Sequence, residues 1–200
     1  MITDINQLDF NKKYSYADYL TWQFKERVEL IKGRLFKMSP APSLSHQRVS
    51  GRLFAAFFLF LKKSQCEVFS APFDVRFPKQ EKDGKNIYDI VQPDLCIVCD
   101  SQKLDYRGCN GSPDLIVEIL SKATSKKDLK EKYQLYEVNA VKEYWIVHPD
   151  EQTLQINVLN ESGNYLPGKL LTCGEEATSQ VIEGFVLDLN DIFDCQKTIG

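Results

Sequence analysis

The sequence contains the stretch Pro-Asp-Leu-Ile-Val-Glu-Ile-Leu at residues 113–120. Apart from Glu118, the run is apolar at successive positions after Asp114, which is typical of a strand buried on both faces of a sheet. Residues 125–139 then show helical periodicity, and Glu143–Val147 (EYWIV) is again a short apolar strand. A strand, a helix and a strand in this order predict a crossover between two parallel strands.

The chain on the N-terminal side of this unit favours antiparallel pairing. Val28–Ile31 and Arg34–Met38 flank Lys32-Gly33, which is typical of a tight turn between two strands. A further apolar strand is predicted at 91–99. We therefore predict an α/β fold with a mixed central sheet flanked by helices and additional antiparallel strands.

Two helices are predicted before the central unit. Tyr16–Glu26 has apolar residues near helical spacing and predicts a short amphipathic helix. A longer helix is predicted from Ser43 to about Lys63, with Ser43 or Ser45 as its cap. Its second half, Phe54–Leu61, is apolar all round, so we expect that half to be deeply buried.

Composition and charge exclude several classes of protein. A chain of 200 residues with 43% hydrophobic and 26% charged residues is typical of one globular domain and not of a disordered or fibrous protein. It has no apolar run of 18 residues, and its first 13 residues do not resemble a secretion signal, so we expect a cytoplasmic protein without a membrane span. The net charge of −3 argues against tight non-specific binding to duplex nucleic acid.

The cysteines do not predict a metal site. The sequence has six of them, and Cys96 and Cys99 form a C-x-x-C pair, a spacing found in zinc and redox sites. The surrounding segment is a predicted strand, on which residues three apart face opposite sides, so the two thiols do not hold one metal. We expect them to be small buried apolar residues in a reducing cytoplasm.

Two carboxylates are candidates for chemistry. Asp94 begins one predicted buried strand, and Glu118 lies inside another. Ionised carboxylates are costly in such places unless a metal or another partner compensates them. If the two strands are neighbours, their oxygens suit Mg²⁺ or Mn²⁺. The alternative for Asp94 is a strand-end carboxylate that is capped by backbone or exposed.

Lys132 and His46 are less clearly assigned by pattern. Lys132 lies at the border of the apolar stripe of the predicted helix, where it can face the sheet and stabilise charge, or simply pair with Asp128. His46 lies at the start of the long helix, where a phosphate or water contact is one interpretation and a capping or core role is the other.

Taken together, these motifs resemble the Uma family of restriction-endonuclease-like proteins in the PD-(D/E)xK nuclease superfamily. The matching residues in the second half are Gln92-Pro93-Asp94, Asp114–Ser121 (DLIVEILS), Asp128, Lys132, Tyr136 and Glu143–Pro149 (EYWIVHP). Those in the first half are Tyr16–Leu20 (YADYL), Glu29–Gly33 (ELIKG), Met38-Ser39-Pro40 and His46. The resemblance implies a single domain at 14–193, an N-terminal extension at 1–13 and a tail at 194–200.

The resemblance also implies roles for particular residues. Asp94 and Glu118 correspond to the two acids of the superfamily, which bind a metal, and Glu29 resembles an additional acid of the metal shell. The superfamily lysine normally follows the second acid by two residues, but that position is Leu120 here. Lys132 on the following helix is the expected replacement, and Lys122 is a nearer alternative that we group with His46 as substrate-binding.

The function that follows by resemblance is a Mg²⁺- or Mn²⁺-dependent endonuclease. It would hydrolyse phosphodiester bonds of DNA, leave a 5′-phosphate and act as a homodimer. The departure at Leu120 and the negative net charge leave an alternative open: a catalytically inactive module on the same fold that binds nucleic acid or protein. A structural protein with a buried polar cluster is a third reading.

Overall fold

The computed structural model describes residues 2–38, 42–78, 87–121 and 126–195, without the side chains of 126–128. These residues form α1 (Tyr16–Tyr19), β1 (Val28–Ile31), β2 (Arg34–Lys37), α2 (Leu44–Leu61), β3 (Glu67–Ser70), β4 (Val75–Arg76), β5 (Ile90–Val91), β6 (Leu95–Val98), β7 (Leu104–Asp105), β8 (Gly108–Asn110), β9 (Leu115–Ile119), α3 (Lys126–Val138), β10 (Glu143–His148), β11 (Thr153–Leu159), β12 (Tyr165–Thr172), β13 (Glu176–Thr178), β14 (Val186–Asp188) and α4 (Leu189–Ile192). The predicted mixture of helices and strands is therefore confirmed.

The central sheet has the strand order β12-β11-β10-β9-β6-β3. Strands β9 and β10 are parallel and are connected by α3, as the strand–helix–strand pattern predicted. The other neighbours in this sheet are antiparallel, so the sheet is mixed. Helix α2 packs on one face of it, and α3 packs on the other face together with strands of a second sheet.

The second sheet has the order β2-β1-β5-β4-β8-β7 and explains one wrong prediction. The expected single strand at 91–99 is two strands: β5 belongs to the second sheet and β6 to the central sheet. Between them, residues 92–94 carry the chain from one sheet to the other. Pro93 lacks an N–H and is poorly suited to the middle of a sheet, which is the physical reason for the break.

Helix α2 was predicted with nearly the correct bounds, but its burial was not. Ser43 caps it, since the Ser43 hydroxyl accepts a hydrogen bond from the His46 N–H. Its buried residues lie on the side that faces the sheet, namely His46, Val49, Leu53, Phe57 and Leu61. The expected burial of the whole second half is wrong: Phe58 is 50% and Leu59 70% exposed. A helix lying on one sheet face is covered on one side only, whatever the polarity of its other side.

The N-terminal region folds back onto the second sheet. Helix α1 is one turn long and ends well before the predicted Glu26, because the chain beyond it pairs with the N-terminus, where the Gln23 N–H donates to the carbonyl of Ile2. Ile5 and Leu8 are buried in a cluster with residues of the second sheet. In the described parts of the chain, we find no helix with both the length and the apolar character needed to cross a bilayer.

The cysteine prediction is correct for Cys96 and wrong for Cys99. Cys96 is a buried free thiol on the α3 side of the central sheet, and Cys99 lies against the α2 side, so the two do face opposite ways. Cys99, however, forms a disulfide with Cys66, and a second disulfide joins Cys173 to Cys195. These partners are 33 and 22 residues apart, so local spacing does not reveal them.

Candidate active site

The topology brings Asp94 and Glu118 next to each other. Strands β6 and β9 are antiparallel neighbours with Leu95 opposite Val117, so Asp94 lies beside Glu118, one residue further along the pair. The Asp94 Oδ2 accepts a hydrogen bond of 2.7 Å from the backbone N–H of Ile119. Asp94 is thus fixed to the backbone of the strand that carries the second acid.

Lys132 reaches this position from α3. Its Nζ lies 2.9 Å from the Oε1 of Glu118 and 2.9 Å from the Oε1 of Glu29. All three side chains are largely buried, with exposed fractions of 13%, 10% and 7% for Lys132, Glu118 and Glu29. The Glu118–Lys132 contact joins β9 to the crossover helix, and the Glu29 contact joins both to β1 of the second sheet.

Tyr136 completes the surroundings of Glu118. Its hydroxyl donates a hydrogen bond of 2.6 Å to the same Oε1 that contacts Lys132, and the residue is fully buried. Lys132 and Tyr136 are four residues apart, so both lie on one face of α3. Tyr136 is one of the residues that carry the family resemblance, but the resemblance implied no role for it. The spacing of four residues between Lys132 and Tyr136 on a predicted helix was the feature of the sequence that could have placed Tyr136 at the site.

His46 faces the other acid. Its Nε2 lies 3.2 Å from the Oδ1 of Asp94, and its side chain is 10% exposed. Burial lowers the pKa of His46, but the Asp94 carboxylate and the nearby Glu118 raise it by more, so the net shift is upward. The sequence analysis groups His46 with the substrate-binding residues. In this structure, the imidazole contacts Asp94, an acid of the site.

The cluster of Glu29, Asp94, Glu118, Lys132 and His46 contains three acids and two basic groups. Burial, followed by repulsion from Asp94 and Glu29, raises the pKa of Glu118 to about 7 against the lowering influence of Lys132 and Tyr136. Burial lowers the pKa of Lys132, but Glu118 and Glu29 raise it by more, so the ammonium stays charged. When ionised, Glu29, Asp94 and Glu118 outnumber Lys132 and a protonated His46 by one charge.

A divalent cation suits this donor set. Within the described ranges, no group of three His, Cys, Asp or Glu side chains is arranged so that it could hold a metal ion. Mg²⁺, however, is usually bound by only one or two carboxylates, with water and substrate phosphates as further ligands. Asp94 and Glu118 provide two such carboxylates, and the surplus negative charge favours a cation. Lys132 contacts the Oε1 of Glu29 as it contacts the Oε1 of Glu118, but Glu29 lies on β1 of the second sheet and not on the β6–β9 pair.

Other residues singled out in the sequence lie elsewhere. Lys122 and the Asp128 side chain fall outside the described residues. Trp145 is fully buried against Phe57 on the α2 side of the sheet. Asp114 accepts hydrogen bonds from Lys142 and from the backbone of Cys99, which makes it a structural acid of the strand ends.

Comparisons with known proteins agree with this architecture. A family model described as "Uma2: Putative restriction endonuclease" matches residues 16–190. The "Uncharacterized protein slr1290" of Synechocystis sp. (strain ATCC 27184 / PCC 6803 / Kazusa) is 26% identical over 157 residues, which cover 77% of this chain and 78% of that protein.

A solved structure with a similar fold is also known. It is the crystal structure of "a putative nuclease belonging to DUF820" from Anabaena variabilis ATCC 29413. It superposes with a TM-score of 0.66 at 17% identity, over 90% of this chain and 98% of that chain. The likeness confirms the predicted restriction-endonuclease-like fold.

Proposed function

Since the chain belongs to the Uma2 family, whose description is that of a restriction endonuclease, we propose that it is a nuclease that hydrolyses phosphodiester bonds of DNA with a divalent cation. The observation that carries the proposal is the pair of acids at β6 and β9, in which Glu118 is buried and Asp94 is 23% exposed, with Lys132 in contact with Glu118. A carboxylate that is buried beside other acids is unfavourable for folding, and such groups are common at functional sites.

Asp94 and Glu118 are the proposed direct ligands of Mg²⁺ or Mn²⁺. A cation held by them would polarise a phosphate oxygen and lower the pKa of a water molecule. The Ile119 N–H fixes Asp94, and Tyr136 fixes Glu118, so neither carboxylate has to be reoriented when substrate arrives. Glu29 is proposed to hold Lys132 rather than to bind the cation directly, a smaller role than the resemblance implied.

Lys132 is the proposed replacement for the lysine that the sequence lacks at Leu120. An ammonium at 2.9 Å from Glu118 lies beside the proposed ligands, where it can orient the attacking water or offset charge on the phosphate in the transition state. Its own position is fixed from two sides by Glu118 and Glu29, which keeps it charged. His46 is proposed to stabilise Asp94 and to contact the phosphate or its water.

The decisive experiment is nicking of a supercoiled plasmid in Mg²⁺ or Mn²⁺. We expect Asp94→Ala and Glu118→Ala to lose more than the factor of about 10 to 100 that is typical of residues around a metal site. Glu143→Gln is the matched control, because Glu143 is a buried carboxylate of the neighbouring strand outside the cluster. Equal cleavage by the wild type and both alanine variants would contradict the proposed mechanism.

One observation favours the second candidate function, an inactive module that binds nucleic acid or protein. Lys132 already bridges Glu29 and Glu118, so the two acids have a cation without a metal. Calorimetric titration with Mn²⁺ separates the two candidates. The nuclease proposal predicts heat that Glu118→Ala abolishes, and the module predicts none.

A homodimer, in which each of two sites cuts one DNA strand, is also proposed, as the family resemblance implies. Sedimentation equilibrium of the wild-type protein would give the mass of the assembly directly. A monomer at the concentration where both strands are cut would contradict this part of the proposal.

A further inference from the structure

We propose that Gln92 is a positioning residue that sets the relative placement of Glu29 and Asp94, with Arg27 and Asp74 as its supports. The inference rests on the proposed metal-dependent function and assigns a role in it to three residues outside the acidic cluster. Gln92 lies in the segment that passes from β5 to β6, two residues before Asp94, and is 9% exposed.

The backbone of Gln92 is bound to the acid of the second sheet. Its N–H donates a hydrogen bond of 2.9 Å to the Oε1 of Glu29, the same oxygen that lies 2.9 Å from the Lys132 ammonium. One short segment therefore carries Asp94 in its sequence and holds Glu29 by its backbone. A shift of this segment would displace both carboxylates and, through Glu29, Lys132.

The side-chain amide of Gln92 is held at both ends. Its Oε1 accepts hydrogen bonds from the Nε and Nη2 of Arg27, at 2.9 and 2.7 Å. Its Nε2 donates a hydrogen bond of 2.8 Å to the Oδ1 of Asp74. The guanidinium offers only donors and the carboxylate only acceptors, so the amide has one favourable orientation.

The supports are themselves fixed to different strands of the second sheet. Arg27 immediately precedes β1, and Asp74 immediately precedes β4. The Asp74 carbonyl accepts a hydrogen bond of 2.9 Å from the N–H of Cys109, and a Cβ on Gly108 would approach that carbonyl oxygen to 2.3 Å. Close backbone packing therefore holds Asp74 in place. Arg27, Gln92 and Asp74 therefore form a clamp. This clamp ties the segment between the two sheets to both β1 and β4.

The test is the Mn²⁺ affinity of folded protein. Gln92→Glu places a carboxylate against Asp74, and the repulsion opens the clamp. The added negative charge alone would strengthen cation binding, whereas a displaced segment weakens it, so the two effects have opposite signs. We expect binding weaker by about 10- to 100-fold, as is typical when an outer residue of a metal site is changed.

A second substitution that removes the negative charge of Asp74 should restore the Mn²⁺ affinity of Gln92→Glu. In Gln92→Glu with Asp74→Asn, the amide of the new asparagine donates to the new carboxylate, Arg27 keeps its acceptor, and the total charge equals that of the wild type. We expect this double variant to recover most of the Mn²⁺ affinity. Gln102→Glu, at an exposed position, is the control for added charge. Should Gln92→Glu not fold, Arg27→Met weakens the clamp from its exposed side and is expected to weaken binding as well.

The outcomes separate this inference from the function on which it rests. A wild type that neither binds Mn²⁺ nor cuts DNA would overturn the proposed function and the inference with it. A wild type that binds Mn²⁺, with equal or tighter binding by folded Gln92→Glu and Arg27→Met, would overturn the inference alone. Loss of binding without recovery in the double variant would also overturn it, because it would mean that the clamp is not the cause.

Discussion

Two buried glutamates lie on neighbouring parallel strands of the central sheet and have opposite surroundings. Glu118 on β9 is in contact with Lys132 and lies near Asp94 and Glu29. Glu143 on β10 is fully buried, and its carboxylate accepts hydrogen bonds from Trp145 Nε1, Ser179 Oγ and the backbone N–H groups of Gln180 and Val181, at 2.7 to 3.1 Å.

The difference separates a structural anchor from a group that we propose to be reactive. The donors around Glu143 are neutral, and together they satisfy both carboxylate oxygens, so this residue ties the loop at 179–182 to the sheet. The neighbours of Glu118 are charged, and burial with two nearby acids makes its ionisation costly. Burial of a carboxylate alone therefore does not indicate function, whereas nearby like charges that raise its pKa are typical of functional sites.

The largest expected effect is a loss of stability on replacement of Lys132, the cation in contact with Glu118. Lys132→Met leaves Glu29 and Glu118 buried without the ammonium, and removal of one partner of a buried ion pair costs about 3–5 kcal/mol. We expect the free energy of unfolding in EDTA to fall by that amount, as measured by urea denaturation. Mn²⁺ should restore part of it by binding to Glu118 and Asp94, the proposed ligands. A loss below about 1 kcal/mol would mean that solvent already compensates these acids.

The pH dependence of stability should contain a component from Glu118. The pKa of Glu118 is raised from 4.5 to about 7 in the folded protein, so the folded state binds more protons than the unfolded state between these values. Rising pH through this window therefore lowers the free energy of unfolding, by at most about 3 kcal/mol. In EDTA, Glu118→Gln should lack this component and Glu143→Gln should retain it. Parallel pH profiles for the wild type and Glu118→Gln would contradict the assignment.

Glu143→Gln tests the anchor. The replacement puts an amide NH₂ group where the carboxylate accepts N–H and O–H donors, so at least one donor loses its partner. Loss of hydrogen bonds to a charged group predicts a decrease of about 2 kcal/mol in the free energy of unfolding. Thermal and urea unfolding measure the change, and Mn²⁺ binding should stay at the wild-type value. A weakened Mn²⁺ site would show that the two strands are coupled.

The smallest expected effect is that of Tyr136→Phe, which removes one hydrogen bond to Glu118. We expect a loss of about 1 kcal/mol in stability. Because the Tyr136 hydroxyl lowers the pKa of Glu118, its removal should also move the pH window of Glu118 upward. The pH profile of the variant gives both numbers, and an unchanged window would mean that water replaces the hydroxyl.

Residue types and periodicity were sufficient for part of the fold and of the candidate site. The unit of β9, α3 and β10 followed from apolar runs and helical spacing, and Asp94 and Glu118 stood out as acids at predicted buried strands. The same reasoning left Lys132 open between two orientations, since a residue at the border of a helical stripe can turn either way. It predicted burial for Phe58 and Leu59, because apolar composition does not state how many sides of a helix are covered.

Local pattern by itself determined the unit of β9, α3 and β10, the long helix α2 and which acids are costly to bury, because these properties depend on neighbours within one or two turns of chain. Only the tertiary structure decided that Glu29, from the other sheet, meets Lys132, that residues 92–94 pass between the sheets, and that Cys99 bonds to Cys66. It also decided that Glu118 meets charges while Glu143 meets neutral donors. The partners in each case are far apart along the chain, and electrostatic and hydrogen-bond energies depend on distances in space that the order of residues does not contain.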